Sequence, residues 1–84
     1  MPYSIEIKPS AVKVLKRIPR KDQIQIVQKI KSLSENPRPL HCVRLADSPY
    51  YRIRHGDYRI IYDIQENQLI VLVLKIGHRR DVYK

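Results

Sequence analysis

The residues of this 84-residue chain best suited to chemistry are three arginines around a turn signal: Arg52 and Arg54 before Gly56-Asp57, and Arg59 after it. If the flanking runs pair as a two-residue hairpin, His55 lies opposite Tyr58, Arg54 opposite Arg59 and Ile53 opposite Ile60. A four-residue loop keeps that parity, whereas a three-residue loop shifts it. Side chains alternate across a strand, so Arg52, Arg54 and Arg59 project from one face while Tyr51, Ile53, Ile60 and Tyr62 project from the other. Like charges set directly opposite on a sheet destabilise it by about a few tenths of a kcal/mol or more, so the arrangement has no obvious folding rationale. It suits a phosphate. Guanidinium groups stay charged at any working pH and present forked donors matched to phosphate oxygens, which makes converging arginines a clamp for a polynucleotide backbone or a pentacovalent phosphorane. The competing reading is a solvated basic face.

A second concentration of reactive types closes the chain, Gly77-His78-Arg79-Arg80-Asp81-Val82-Tyr83-Lys84. A frayed terminus is the plain expectation there, yet Val82 and Tyr83 are unusual in a solvated tail. Gly77 offers a turn that brings His78 or Arg79 back toward the sheet. An unperturbed imidazole titrates near pH 6.5, which makes His78, and His55 at the hairpin turn, the candidates for acid–base work. His41-Cys42 invites a metal reading, but one such pair without a second is below the threshold for a zinc site. Tyr51 and Tyr62 share the Ile53/Ile60 face and read as core.

The elements that must hold these groups follow from periodicity. Tyr3 to Lys8 alternates apolar and polar, the pattern of a half-buried strand, and Pro9-Ser10 ends it. Ser10 can cap a helix with Ala11, Val12, Leu15 and Ile18 on one stripe, which Pro19 stops. From Arg20 a second helix places Ile26, Val27, Ile30 and Leu33 on one face, and Asn36-Pro37-Arg38-Pro39 breaks it. The two helices form a hairpin whose apolar stripe needs a sheet to cover it. Leu40 to Leu45 is a weak strand, Tyr50 to His55 and Tyr58 to Gln65 are strong ones, and Leu69 to Ile76 is the strongest. Gly56-Asp57 and Glu66-Asn67 are the hairpin turns. Leu69 to Ile76 is apolar at nearly every position, which implies a central strand covered on both faces. The predicted fold is one α+β domain over residues 1–84: an N-terminal strand, a two-helix hairpin, then a mainly antiparallel three- to four-stranded sheet with a modest core.

Charge narrows the partner. Seventeen Lys and Arg oppose eight Asp and Glu, a net charge of +9, and the excess is spread along both halves rather than gathered in a tail. A polyanionic or acidic partner is expected. With two glycines and 43% hydrophobic residues, collagen-like, low-complexity and wholly disordered chains are poor fits. The single Cys42 cannot form an internal disulfide, which favours a reducing compartment, with the cytoplasm as the default. No secretory segment follows Met1, and the longest apolar run, Leu69 to Leu74, is far short of the roughly 18 residues needed to cross a bilayer, so no membrane partner is expected.

Taken in order, Glu35-Asn36-Pro37-Arg38, Arg44-Leu45, Tyr51-Arg52-Ile53-Arg54, Gly56-Asp57-Tyr58-Arg59-Ile60-Ile61-Tyr62 and Gly77-His78-Arg79-Arg80-Asp81-Val82-Tyr83 resemble toxins of the RelE/ParE superfamily of type II toxin–antitoxin systems. The resemblance covers essentially the whole chain and is closest to the RelE-like mRNA interferases. It implies a RelE-like fold and a metal- and cofactor-independent endoribonuclease that enters the ribosomal A site and cuts messenger RNA. The 2′-hydroxyl attacks its own 3′-phosphate and leaves a 2′,3′-cyclic phosphate. By position in the motifs, Arg52, Arg54, Arg59, Arg79 and Tyr83 match the family's functional residues.

The implied roles are phosphate binding and transition-state charge for Arg54 and Arg59, the same charge or the leaving oxygen for Arg79, and base stacking or proton transfer for Tyr83. His78 is the catalytic alternative that some relatives' use of histidine suggests. Arg52, Arg44, Arg80 and Lys84 fall to RNA binding. The family often carries Lys where this chain has Arg52 and Arg54, and Arg is a poor proton shuttle, which argues against a general base at position 52. The implied partners are an acidic RelB-like antitoxin, the ribosome and its messenger, and DNA only through the antitoxin. Two rival functions share the features: a ParE-like inhibitor of DNA gyrase, and a ribosome or nucleic-acid binder that does not cleave.

Overall fold

The alternation at the N-terminus produces β1 (Ser4–Ile7) in the computed structural model of the protein, which describes residues 2–78. Ile5 and Ile7 pack against the core while Ser4 and Glu6 face out. Helix α1 (Pro9–Arg17) begins two residues earlier than the Ser10 cap implied. Pro9 takes the first turn, where its fixed φ is pre-set and its missing N–H costs nothing, and Lys8 is the capping position without a side-chain hydrogen bond. Ser10 is therefore inside the helix rather than its cap. Ile18 turns extended ahead of Pro19 and ends α1, as the pre-proline restriction requires.

Helix α2 (Arg20–Ser32) follows at once. Gln23 Nε2 donates to the Leu15 carbonyl at 2.9 Å, which also accepts the Ile18 N–H at the end of α1. Ile26, Ile30 and Leu33 from α2 and its end meet Ile53, Ile60, Tyr62, Val71, Val73 and Ile76 from the sheet to form the core.

The sheet has five strands, β1, β2 (Val43–Arg44), β3 (Tyr51–His55), β4 (Tyr58–Gln65) and β5 (Ile70–His78), in the spatial order β1-β5-β4-β3-β2. The class is the expected α+β, with one more strand in the sheet than predicted. The N-terminal strand joins it, running parallel to β5 from Ser4↔Ile70 to Ile7↔Val73, while every other pairing is antiparallel. The weak Leu40 to Leu45 strand shrinks to two residues because Cys42 N–H turns back to the Pro39 carbonyl. The second hairpin turn spans residues 66–69 rather than two residues, with Leu69 held at φ 55°.

The apolar run of β5 also differs from its reading as a strand covered on both faces. Ile61 pairs with Lys75 but Tyr62 pairs with Val73, so Leu74 is an extra residue and the side-chain parity of β5 changes there. Val71 and Val73 before the bulge and Ile76 after it all reach the helix side and are buried, whereas Ile70, Leu72 and Leu74 are half-buried. β5 is interior, between β1 and β4, but β4 is the central strand. Among the described residues no helix is long and apolar enough to cross a membrane.

Candidate active site

The β3–β4 hairpin has the predicted register: Arg54↔Arg59, Ile53↔Ile60 and His55↔Tyr58. Gly56 sits at φ +57° while Asp57 does not have a positive φ, the type II′ pattern that demands glycine at its first position and matches the strands' twist. Because the loop is two residues long, parity is locked, and the helices occupy the side of Ile53 and Ile60. Arg52, Arg54 and Arg59 thus project together from the open face.

Their environments differ. Arg54 is exposed, whereas Arg52 and Arg59 are half-buried, with Nε of Arg52 and Nε and Nη1 of Arg59 out of contact with solvent. Between them Ile61 is only 9% exposed although it lies on the open face. Its cross-strand partners are Arg52 and Lys75, whose methylene stems can cover it while their charged ends stay in water. Opposite Arg59 stands Gly77, which puts no side chain in the way of the guanidinium.

Lys75, one step diagonally from Arg59, is a fourth cation on this face that sequence reasoning missed. The signal was present: Lys75 is the sole charged residue in the Leu69 to Ile76 run, and a charge inside an apolar strand marks a position that faces water.

The structure separates the other candidates from this cluster. His78 pairs with Tyr58, whose ring packs on the core, and meets that ring edge-on at 5.7 Å. It lines a cavity with Val14, Arg17 and Ile18 of α1, and its Nε2 stands 3.9 Å from Asp57 Oδ2. The expected return of His78 to the arginines is therefore corrected: β5 extends through it without turning at Gly77, and parity sends its ring to the helix side. His55, likewise on that side, makes a 3.1 Å contact from Nε2 to Asp22 Oδ1 in the first turn of α2. Arg44 pairs with Tyr51 and donates from Nε to the Ser48 carbonyl at 3.2 Å, so it too leaves the arginine face. Arg79, Arg80, Tyr83 and Lys84 lie outside the described residues.

A second feature invisible in the sequence anchors the base of β3. Arg38 lies over the Tyr51 ring at 5.3 Å, donates from Nε to Tyr51 Oη at 3.1 Å and pairs with Glu66 at 2.7 Å. The hydrogen bonds to Tyr51 and Glu66 push its already high pKa further up. Tyr51 stacks on Tyr62 with centroids 6.0 Å apart, and Tyr62 Oη donates to the Pro37 carbonyl at 2.7 Å. Burial, helped by the neighbouring Cys42, raises the Tyr62 pKa well above the usual phenol value. Tyr62 is core as expected, but Tyr51 is only half-buried. Among the described residues no three His, Cys, Asp or Glu side chains gather as a metal site.

The two-helix layer and five-stranded sheet that carry these cations are shared with known proteins. Residues 5–83 match the family model described as the ParE toxin of the type II toxin–antitoxin system parDE. RelE1 of Methanocaldococcus jannaschii is 31% identical over 88 residues, covering 100% of this chain and 98% of its own, and toxin RelG of Mycobacterium tuberculosis is 28% identical over 89 residues, covering 100% and 99%. The archaeal RelE in a RelE–RelB complex from Pyrococcus horikoshii superimposes with a TM-score of 0.85 at 26% identity, over 98% of this chain and 100% of that one. The intact Escherichia coli RelBE complex shares the fold, with a TM-score of 0.81 at 23% identity over 90% and 95% of the two chains. With a family model spanning nearly its whole length and full-length relatives on the same fold, the chain belongs to the ParE toxin family of type II toxin–antitoxin systems and is a RelE-like toxin of the RelE/ParE superfamily.

Proposed function

We propose that this toxin is an endoribonuclease that cleaves messenger RNA in the ribosomal A site and so stops translation in the cytoplasm, until an acidic RelB-like antitoxin neutralises it. The observation that carries the reading is the convergence of Arg52, Arg54 and Arg59 on the face away from the helices. Cleavage forms a bond from the 2′-oxygen to phosphorus and breaks the bond to the 5′-oxygen; the proton lost by the 2′-hydroxyl is balanced by one gained at the leaving oxygen. Negative charge accumulates on the phosphoryl oxygens in the transition state, where guanidinium groups already in place need no reorganisation.

Arg54 and Arg59 bind that charge, with Arg52 and Lys75 steering the backbone. Arg79 and Tyr83 take the roles their motif positions imply, at the leaving oxygen and against the cleaved base, and Arg80 and Lys84 add RNA contacts. His78 is not assigned to the reaction, because it faces α1. Arg44, on the two-residue edge strand β2, is left as a peripheral RNA contact. DNA is reached only through the antitoxin.

Primer extension on a defined messenger tests the reading, comparing naked RNA with RNA on ribosomes holding an empty A site. Wild-type protein should cut within the A-site codon, and Arg59→Ala should lose on the order of 100-fold or more in rate. Intact RNA in both settings, from a protein that still arrests growth, would refute it. The ParE description of the matched family favours a second reading, inhibition of DNA gyrase, which a supercoiling assay then decides.

A further inference from the structure

Cleavage delivers a proton to the departing 5′-oxygen, and the arginine clamp has none to give, since a guanidinium stays charged at any working pH. Among the described residues, His55, Tyr58 and His78 form one cross-strand row on the helix side and are turned away from the clamp. Two carboxylates share the open face by parity, but neither is near. Asp63 is four residues along β4 from Arg59, about 13 Å away, and Glu6 pairs with Leu72 on the far side of β5. Lys75 is close. The rows Arg52–Ile61–Lys75 and Arg54–Arg59–Gly77 lie side by side across β3, β4 and β5, so Lys75 is a diagonal neighbour of Arg59, a separation of about 7–8 Å that a long side chain spans.

Lys75 takes this position through an irregularity of β5. Regular alternation from Val71 and Val73 would carry it to the buried helix side; the extra residue Leu74 reverses the parity and leaves Lys75 exposed on the open face. Bulges are frequent beside active sites, where they re-aim a side chain. A lysine stem that covers Ile61, its cross-strand partner, points the ammonium over β4 toward the arginines.

We propose that Lys75 is the general acid of the cleavage, its ammonium donating the proton to the 5′-oxygen while Arg54 and Arg59 hold the phosphoryl oxygens. The inference rests on the nuclease reading above and adds a proton donor to it. A lysine amine in water ionises at about pH 10.4, so at neutral pH it arrives with a proton to give and cannot take the one on the 2′-hydroxyl. As the bond from phosphorus to the 5′-oxygen breaks, its electron pair takes a proton from Nζ, and the N–H pair stays on the amine. The 2′-hydroxyl loses its proton to water as its oxygen bonds to phosphorus, and solvent then reprotonates Lys75. Arg79, which its motif position sets at the same oxygen, hydrogen-bonds it without protonating it.

Single-turnover cleavage of a synthetic messenger on ribosomes with an empty A site tests the proposal, with the scissile phosphate carrying either the natural 5′-oxygen or a bridging 5′-sulfur. A thiolate leaves without a proton, because a thiol ionises at about pH 8.5 and an alcohol only far above that. Lys75→Gln and Lys75→Arg should both cut the oxygen substrate on the order of 100-fold more slowly, and the sulfur substrate at close to the wild-type rate. Lys75→Arg keeps the charge but not the transferable proton, which separates donation from attraction. If it cuts the oxygen substrate at the wild-type rate, or if both variants lose equally on the two substrates, the proposal is overturned and the nuclease reading stands. A sulfur rescue of Tyr83→Phe in place of the Lys75 variants overturns it too. Wild-type protein that cuts neither substrate removes the nuclease reading, and the general acid with it.

Discussion

If the opposed arginines are held for a phosphate and not for the fold, removing one should stabilise the protein while weakening its function. Arg54→Gln is the sharpest perturbation, because Arg54 is exposed, directly faces Arg59 across the hairpin and is two residues from Arg52 on the same face. Glutamine keeps most of the length and removes the charge. Directly opposed like charges cost about 0.2–1 kcal/mol on a sheet, which for a domain of this size converts to a rise of about 1–8 °C in melting temperature.

The gain should be largest at low ionic strength and fade as the Debye length falls toward about 3 Å near 1 M salt. Inorganic phosphate should raise the wild-type melting temperature more than that of the variant, because a ligand bound only to the folded state stabilises it by mass action. Differential scanning calorimetry at several salt concentrations, with and without phosphate, measures both. A variant that melts at or below the wild-type temperature at low salt refutes the reasoning, since the pair would then support the fold.

Three further outcomes follow from the geometry. Tyr62→Phe removes the 2.7 Å bond to the Pro37 carbonyl, in a part-buried setting, a loss of about 0.5–1.5 kcal/mol in a denaturant titration. The raised pKa of Tyr62 means the folded state holds that proton more tightly than the unfolded one, so its contribution is complete below pH 10 and is lost as pH climbs above it; the wild-type minus Tyr62→Phe stability difference should shrink in that range. At Gly56, φ +57° with nothing within 4 Å of an added Cβ makes the cost of Gly56→Ala one of backbone strain alone, about 1–2 kcal/mol by the same measurement. Glu66→Gln breaks an ion pair between side chains 45% and 60% exposed, and should shift stability by less than about 1 kcal/mol.

The arginine face was legible in the sequence because everything needed to build it is local. A Gly-Asp turn sets a two-residue loop, the loop sets register, and the period of two sends Arg52, Arg54 and Arg59 to one side. The helix hairpin was legible for the same reason, through the 3.6-residue spacing of its apolar positions and the breaks at Pro19 and Pro37.

What lay beyond the sequence depends on pairings between distant segments. The bulge at Leu74 appears only when β5 is set against β4; it brings Ile76 to the same buried side as Val71 and Val73 and fixes Lys75 on the open side. Tertiary pairing decided that β1 would run parallel beside β5, that His78 would face α1, and that Arg38 would reach Tyr51 and Glu66 across gaps of 13 and 28 residues. The shortness of β2, which leaves the edge of β3 open, comes from a turn at Pro39–Cys42 that no periodicity announces. Local rules specify which side of its own strand a residue takes; only the packed sheet specifies what stands there to meet it.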